Sequence, residues 1–241
     1  MGIISDKFRR TRLDQTPYLF HFTKGTKKEG KESLYSILNQ EKLISKKDDF
    51  VCFSASPITS IHKFFETKVN STNLPMYQPF GIGFSRDLLI KEYGARNVIY
   101  CNDQELKSIP NGLKWRTQSL NIDTYDFEYL REWRIKGKIF DFKDFPKEQI
   151  IIIAPYLDDV NDLVTIHDLV IEPYFNELTG DLEPDVQEVF NRGYKGLSLD
   201  EINKICNNDY EVLNAVSNQI IDQDMTEYIK EGFKSHISRI E

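Results

Sequence analysis

The sequence is poor in cysteine, with three residues that stand far apart at positions 52, 101 and 206. An odd number of scattered cysteines does not form a disulfide framework and is typical of reduced thiols in the cytosol. The chain also lacks an uninterrupted apolar run of about eighteen residues, the length a membrane-spanning helix needs. Its opening residues, MGIISDKFRRTR, have no apolar segment followed by a small-residue cleavage site. These absences predict a cytoplasmic protein that does not enter a membrane.

Motifs for common cofactors are missing as well. No GxGxxG follows a strand-like segment and no Walker loop is present, which argues against doubly wound nucleotide folds and P-loop enzymes. No CxxC or HxxxH spacing occurs. A metal site built from His21, Cys52, His62 and Cys101 is an alternative, but scattered ligands are weak support for it, and we expect no metal.

Charge is divided unevenly along the 241 residues. Residues 1–157 carry 25 Lys+Arg and 19 Asp+Glu, whereas residues 158–241 carry 6 and 19. A basic body favours a phosphate-bearing ligand, and an acidic tail favours a shielding or partner-binding role. The alternative for the tail is an acidic, solvated helical surface.

The first part of the chain predicts short strands separated by helices. Compact apolar runs predict strands at YLFHF (18–22), around Val51 and Phe53, at GIGF (81–84), at NVIYC (97–101), as a strand pair in EWRIKGKIFDF with a turn at Gly137, and at IIIIA (150–154). A helix is predicted over 32–40, where Leu34, Ile37 and Leu38 share one face, and the basic TKGTKKEGK before it is expected to form a loop. Further helices are expected after Ser56 and after Ser85.

The pattern changes after residue 157. SLDE at 198–201 has the spacing of a capping box, and Met225, Ile229, Phe233 and Ile237 recur every four residues. We therefore predict an α+β fold in two parts: an α+β domain over 1–157 and an acidic, mostly helical extension over 158–241.

The segment REWRI at 131–135 places charge inside a strand-like stretch. Arg131 and Arg134 flank Glu132 and favour its charged form. Such a carboxylate either belongs to a structural ion pair at a sheet edge or is held in place to act on a substrate. His21, between two phenylalanines in YLFHF, is either a hydrogen-bonded core histidine or a ligand-binding group.

These motifs together resemble a known family. The strand containing His21, the helix with SIL, and the segments VCFSASP, GIGF, YGARNVIY and EWRI look like the AbiGi-type abortive-infection proteins of bacterial phage defence. The opening HFT…SIL is also similar to the DarT type of DNA ADP-ribosyltransferase. The resemblance covers about residues 18–155.

The resemblance implies an ADP-ribosyltransferase-like split β-sheet that binds NAD as a substrate. His21 matches the position that holds the adenosine-side ribose, and Glu132 matches the catalytic carboxylate at the other ribose. The resemblance also implies a dinucleotide site whose remaining residues are Phe22, Thr23, Phe53, Ser54, Phe65 and Arg134. Phe53 or Phe65 would stack on the nicotinamide, and Arg134 or Arg116 would hold phosphate or the carboxylate.

The chain departs from the family pattern in two places. FSAS at 53–56 is only a loose counterpart of the middle Ser-Thr-Ser motif, and Leu130 stands where arginine-modifying members have Glu or Gln. Arginine is therefore not the expected acceptor, and a nucleic acid or another protein side chain stays open. Lys24, Lys27, Lys28 and Lys31 offer positive charge for a pyrophosphate or a nucleic-acid backbone, or form a solvated turn.

Two functions are compatible with these features. The first is an NAD-dependent ADP-ribosyltransferase that acts as a toxin or anti-phage effector, with the acidic tail covering a basic cleft until a phage trigger releases it. The second is a non-catalytic antitoxin or phage-sensing module that keeps the same fold and binds a toxin or phage protein. A nuclease is a third option, but the clustered Asp and Glu of metal-assisted cleavage are missing.

Overall fold

The structure is a computed structural model that describes residues 16–58, 65, 77–120, 128–168, 173–184 and 188–206. Its strands are β1 (Tyr18–Phe22), β2 (Lys42–Ile44), β3 (Phe50–Ser54), β4 (Gly81–Ser85), β5 (Arg96–Asn97), β6 (Ile99–Cys101), β7 (Thr117–Ser119), β8 (Glu132–Lys136), β9 (Ile139–Asp141), β10 (Ile150–Ala154), β11 (Thr165–Asp168), β12 (Pro173–Asn176), β13 (Asp181–Pro184), β14 (Glu188–Asn191) and β15 (Lys195–Ser198). Its α-helices are α1 (Lys27–Gln40), α2 (Arg86–Lys91), α3 (Asp103–Ser108), α4 (Leu157–Val164) and α5 (Leu199–Cys206). Short 3-10 helices span Asn111–Arg116, Glu128–Leu130 and Lys147–Gln149.

A seven-stranded sheet organises the described chain. Its strand order is β15-β10-β4-β1-β3-β8-β5. Neighbouring strands run antiparallel except β10 and β15, which are parallel. The predicted α+β class is confirmed, and the predicted strands at 18–22, 81–84 and 150–154 are present.

Hydrophobic clusters cover both faces of this sheet. Alternation along β1 sends Tyr18, Phe20 and Phe22 to one face and Leu19 to the other. We call these the front face and the back face. On the back, Leu34 and Leu38 of α1 and Val160 and Leu163 of α4 join the core; on the front, Ile151, Ile153, Leu197 and Ile202 do so.

Two glycines of β4 let aromatic rings lie against the sheet. Gly83 is the register partner of Phe20, and Gly81 is the partner of Phe22. A Cβ at Gly83 would stand 2.7 Å from the Phe20 ring, and a Cβ at Gly81 would stand 2.5 Å from the Phe22 ring. The GIG segment is therefore explained by packing, because only hydrogen leaves room for these rings.

Helix α1 begins earlier than its apolar face predicts. The predicted loop includes residues 27–31, but the structure starts the helix at Lys27. Thr26 and Glu29 form a capping box in which the Thr26 hydroxyl accepts from the Glu29 N–H and the Glu29 carboxylate accepts from the Thr26 N–H. These bonds satisfy free N–H groups of the first turn, so the helix extends into a polar segment.

The predicted strand pair at EWRIKGKIFDF is corrected by the strand partners. Both strands exist and Gly137 has a φ of 120°, as the turn requires. However, β8 pairs with β3 and β5, whereas β9 pairs with β2. The turn therefore directs the chain from the large sheet to a separate two-stranded sheet.

The region after residue 157 has more strand than its helical patterns predict. Strands β11 to β14 occupy much of 165–191, and β15 joins the large sheet beside β10. The capping box at SLDE is confirmed, since Ser198 Oγ and the Glu201 carboxylate exchange bonds with each other's backbone N–H groups as α5 begins. The sheet thus continues beyond the predicted boundary at 157/158. The Met225 to Ile237 repeat lies outside the described residues.

The described ranges contain no helix that could span a membrane. None of the helices there combines the length and the apolar character that crossing a bilayer requires.

Candidate active site

Glu132 opens β8 on the front face of the sheet. It is the register partner of Ser54, which is also the partner of Phe20 in β1. Because directly opposed residues share a face, Phe20, Ser54 and Glu132 point to the same side. The Glu132 side chain is 11% exposed. A carboxylate this deeply placed needs a partner, since burying a charge without one is costly.

Arg134 is that partner. Its Nε donates to Glu132 Oε1 at 2.8 Å, and its own side chain is only 4% exposed. Nη1 donates to the carbonyls of Trp115 and Thr117 at 3.1 and 2.8 Å, and Nη2 donates to Gln118 Oε1 at 2.8 Å. The guanidinium also lies 4.0 Å from the centre of the Phe50 ring. Arg134 therefore fixes Glu132 and ties the 115–118 segment to the sheet.

The FSAS segment holds the turn that leads into Glu132. Ser54 Oγ donates to the Leu130 carbonyl at 2.8 Å, and Ser56 Oγ donates to the Tyr129 carbonyl. The Ala55 N–H lies 3.2 Å from the carbonyls of both Leu130 and Arg131. These bonds fasten the chain just before the carboxylate.

Arg131, immediately before Glu132, has a φ of 47°. A left-handed conformation is uncommon for a residue with a long side chain, and it persists only where the surroundings enforce it. The bonds from the FSAS segment supply that enforcement. The backbone before Glu132 is thus held in one conformation at a local cost.

Three further side chains surround the carboxylate: Cys52, Tyr77 and Tyr100. Burial and then the negative charge of Glu132 raise the pKa of Cys52 and the pKa of Tyr77 well above their ordinary values. Burial raises the pKa of Tyr100 to about 12, and its hydroxyl accepts a 3.3 Å bond from the Glu132 N–H. All three stay protonated near neutral pH. We call these residues, with Glu132 and Arg134, the Glu132 cluster.

His21 does not join this cluster. It follows Phe20 in β1, so its side chain lies on the back face. There its ring stands edge-on to the Phe53 ring, with the two ring centres 6.2 Å apart. Its Nδ1 bonds to the Cys52 carbonyl at 2.9 Å. Burial lowers the pKa of His21, with a further lowering by Lys24. The structure therefore gives His21 a neutral, strand-bridging position and does not bring it beside Glu132.

The predicted aromatic residues separate in the same way. Phe22 lies on the front face, and Phe65 meets its ring edge-on at 5.2 Å. Tyr77 packs beside them. Phe53, in contrast, is 2% exposed and packs edge-on to Phe84 and Phe140 in the back cluster. The structure thus places the Phe53 ring in the buried core of the back face and leaves Phe22 and Phe65 on the side of Glu132.

Thr23 and Lys24 follow β1, whereas Lys27, Lys28 and Lys31 lie in α1. Thr23 is buried and its hydroxyl donates to the Phe80 carbonyl at 3.0 Å. Lys24 stands 5.2 Å from the centre of the Tyr77 ring, at the border of the Glu132 cluster. Lys31 pairs with Asp159 and Asp162 of α4, at 2.7 and 3.0 Å. Lys24 therefore lies beside the Glu132 cluster, whereas Lys31 pairs with the carboxylates of α4.

Arg116, the predicted alternative to Arg134, lies within the 115–118 segment. Its Nη2 donates to Asn97 Oδ1 at 3.0 Å.

No sequence pattern pointed to Tyr77, Tyr100 or Gln118, because segments distant in the chain bring the two tyrosines to Glu132 and Gln118 to Arg134. Cys52 did have a signal: it stands two residues before Ser54 in a strand, which puts it on the same face. Within the described ranges, no three His, Cys, Asp or Glu side chains form a group suited to a metal ion. His62, one of the alternative ligands, falls outside those ranges.

Comparison with known proteins adds no relative to this description: no family model, no curated protein and no solved structure matches the chain.

Proposed function

We propose that the chain is an NAD-dependent ADP-ribosyltransferase with a split-sheet core of the AbiGi and DarT-like kind. The observation that carries the proposal is Glu132, a carboxylate that a buried arginine holds at 2.8 Å beside protonated tyrosines. Transfer from NAD needs one oriented carboxylate at the ribose and few other groups, so this arrangement is suited to it.

The side chains around Glu132 fit the parts of NAD. The half-buried Phe65 and Tyr77 supply aromatic surface for the nicotinamide ring, with the buried Phe22 packed behind Phe65, and Lys24 supplies positive charge for the pyrophosphate. The Glu132 carboxylate would accept a hydrogen bond from a ribose hydroxyl. His21 at the adenosine-side ribose stays a prediction, and the proposal does not depend on it.

The reaction breaks the bond between the ribose C1′ and the nicotinamide nitrogen. Nicotinamide leaves with the bonding electron pair, and positive charge develops on the ribose ring. The negative charge of Glu132 stabilises that state. The acceptor then forms the new bond to C1′, and its proton passes to Glu132 or to water.

The acceptor in this proposal is a nucleic acid or a protein side chain other than arginine. At the position two residues before Glu132, Leu130 is 6% exposed and apolar, so it offers no group to bind a guanidinium. An NAD-consuming transferase of this kind would act in the cytoplasm as a toxin or an anti-phage effector.

The test compares wild type with Glu132→Gln, which keeps the size of the side chain and removes its charge. Purified protein would be assayed for nicotinamide release from NAD, and expressing cells, with and without phage, would be followed for growth and for ADP-ribose on DNA, RNA and protein. We expect turnover and adducts in wild type and a loss of about a hundred-fold or more in the variant, since the charge acts in the transition state.

Glu148→Gln is the matched control, because Glu148 is exposed in the turn before β10 and lies outside the Glu132 cluster. It should behave as wild type. Equal, inactive behaviour of all three proteins with and without phage would reject the transferase.

The second candidate function is the non-catalytic binding module. The hairpin of β12 and β13 favours it, because Phe175 and Leu178 are 60% and 97% exposed there. Two large apolar side chains exposed in one hairpin offer an apolar surface to a partner protein. If a toxin co-expressed with the chain were neutralised equally by wild type and Glu132→Gln, and not by Phe175→Ser, the binding module would replace the transferase.

A further inference from the structure

We infer that Arg134 is a positioning residue for Glu132 and does not bind the NAD phosphates, an inference that rests on the proposed transferase function. The sequence resemblance leaves two roles open for Arg134, a ligand for phosphate or a partner of the carboxylate. Its contacts in the structure favour the second role, because they connect the carboxylate to the segment 115–118.

The first step is the use of the guanidinium donors. Nε is committed to Glu132, Nη1 to two backbone carbonyls and Nη2 to Gln118. These bonds occupy most of the N–H groups that an arginine has. A dinucleotide phosphate would have to displace them, and the 4% exposure of the side chain shows how little of it solvent reaches.

The second step is what these bonds hold together. Thr117 and Gln118 belong to β7, which pairs with β6 in a two-stranded sheet apart from the large one. Strand β6 contains Tyr100, whose hydroxyl accepts from the Glu132 backbone. Arg134 therefore fastens the β6–β7 sheet to β8 and brings Tyr100 and the carboxylate into one cluster.

The third step is the kinetic consequence. A carboxylate that stabilises developing charge acts mainly in the transition state, so an error in its position lowers kcat more than it raises KM. A lost phosphate contact would have the opposite signature, with KM raised and kcat retained. The two roles of Arg134 are thus separable by steady-state kinetics.

The experiment uses the full chain with Arg134→Lys and with Gln118→Leu. Lysine keeps the charge and loses the planar fork, and leucine removes one bond to Nη2 while Arg134 stays in place. We expect Arg134→Lys to lower kcat for NAD by about ten- to a hundred-fold with KM little changed. Gln118→Leu should lower kcat by a smaller factor. It replaces Arg134→Lys as the test variant if Arg134→Lys does not fold.

A second readout does not depend on activity. The chain has two tryptophans, so a Trp133→Phe background leaves Trp115 as the single tryptophan. The Trp115 carbonyl accepts a hydrogen bond from Arg134. In that background we expect Arg134→Lys, or Gln118→Leu if lysine prevents folding, to shift Trp115 emission to longer wavelength and to increase acrylamide quenching. The shift reports that the 115–118 segment has loosened.

The outcomes separate the two proposals. Turnover by wild type with a raised KM and an unchanged kcat in Arg134→Lys would overturn the positioning role and leave the transferase standing. No turnover by purified wild type and no adducts in expressing cells, with and without phage, would reject the transferase. The fluorescence would then decide the structural link alone, and unchanged emission in both variants would overturn that link.

Discussion

Glu132 and His21 show how differently two polar residues in apolar strands are used. Glu132 faces the front of the sheet, and Arg134 offsets its charge there at 2.8 Å. His21, the residue after Phe20 in β1, lies on the back face, and its ring bonds to the Cys52 carbonyl. Of the two ambiguous side chains in the sequence, the structure places Glu132 in an ion pair on the front face and His21 in a hydrogen bond to the neighbouring strand.

The lowered pKa of His21 predicts a loss of stability at acid pH. Its ordinary pKa of 6.5 applies to the unfolded chain, and burial lowers the folded value, so the unfolded state takes up the proton first. The stability contributed by neutral His21 is therefore present above pH 6.5 and is lost as pH falls toward the folded pKa. Urea unfolding of wild type and His21→Gln at about pH 7.5 and about pH 5.5 measures it.

We expect the stability difference between wild type and His21→Gln to change in favour of the variant at the lower pH, because glutamine does not titrate. The comparison cancels the other three histidines, which both proteins share. A difference that is the same at both pH values would show that His21 is not held neutral by the fold.

At the scale of elements, close contacts between neighbouring strands explain residues that sequence patterns leave open. The rings of Phe20 and Phe22 lie over β4 because Gly83 and Gly81 have no side chain. The same front face then continues through β3 to Glu132 in β8. The glycines of β4 thus determine how closely the Phe20 and Phe22 rings pack against the sheet beside the candidate site.

Gly83→Ala tests this packing. The added methyl group would lie 2.7 Å from both the Phe20 ring and Ile151 Cγ2, and both side chains are fully buried. We expect the free energy of unfolding to fall by about 1–3 kcal/mol, the usual cost of overpacking. Gly112→Ala is the control, since nothing lies within 4 Å of its added Cβ. Chemical denaturation giving the same midpoint for Gly83→Ala as for wild type would contradict the close contact.

At the scale of the whole molecule, the second part of the chain completes the sheet of the first. Strand β15 lies parallel to β10, with Leu197 in the front cluster and no exposed surface. Helix α4 packs on the back face, and Lys31 of α1 reaches its Asp159 and Asp162. Deleting residues 158–241 would therefore remove a strand and part of the core, in addition to any acidic cover of the site.

Two leucines beyond residue 157 make this testable. Leu197→Ala should lower the free energy of unfolding by about 2–5 kcal/mol, because it leaves a cavity in the front cluster. Leu178→Ala, the same change at a side chain that is 97% exposed, should alter it by less than about 0.5 kcal/mol. Similar values for the two variants, measured by urea unfolding, would mean that β15 is not part of the cooperative core.

The sequence by itself determined the elements with strong local patterns. Five successive apolar residues, IIIIA at 150–154, predicted β10. The apolar face of α1 predicted most of that helix, and the capping box at 198–201 marked the start of α5. It also singled out Glu132, since a charge inside a strand is unusual. These features are local, so the nearby residues contain the information.

Only the tertiary structure decided which of these elements meet. The partners of β8 and β9 and the inclusion of β15 in the sheet join residues far apart in the chain. So do the approach of Tyr77 and Tyr100 to Glu132 and the bond of Gln118 to Arg134. The face on which His21 and Phe53 lie followed from strand register, which one residue of shift would reverse. Pairing and register depend on the packing of the whole core, and for that reason local patterns alone did not reveal them.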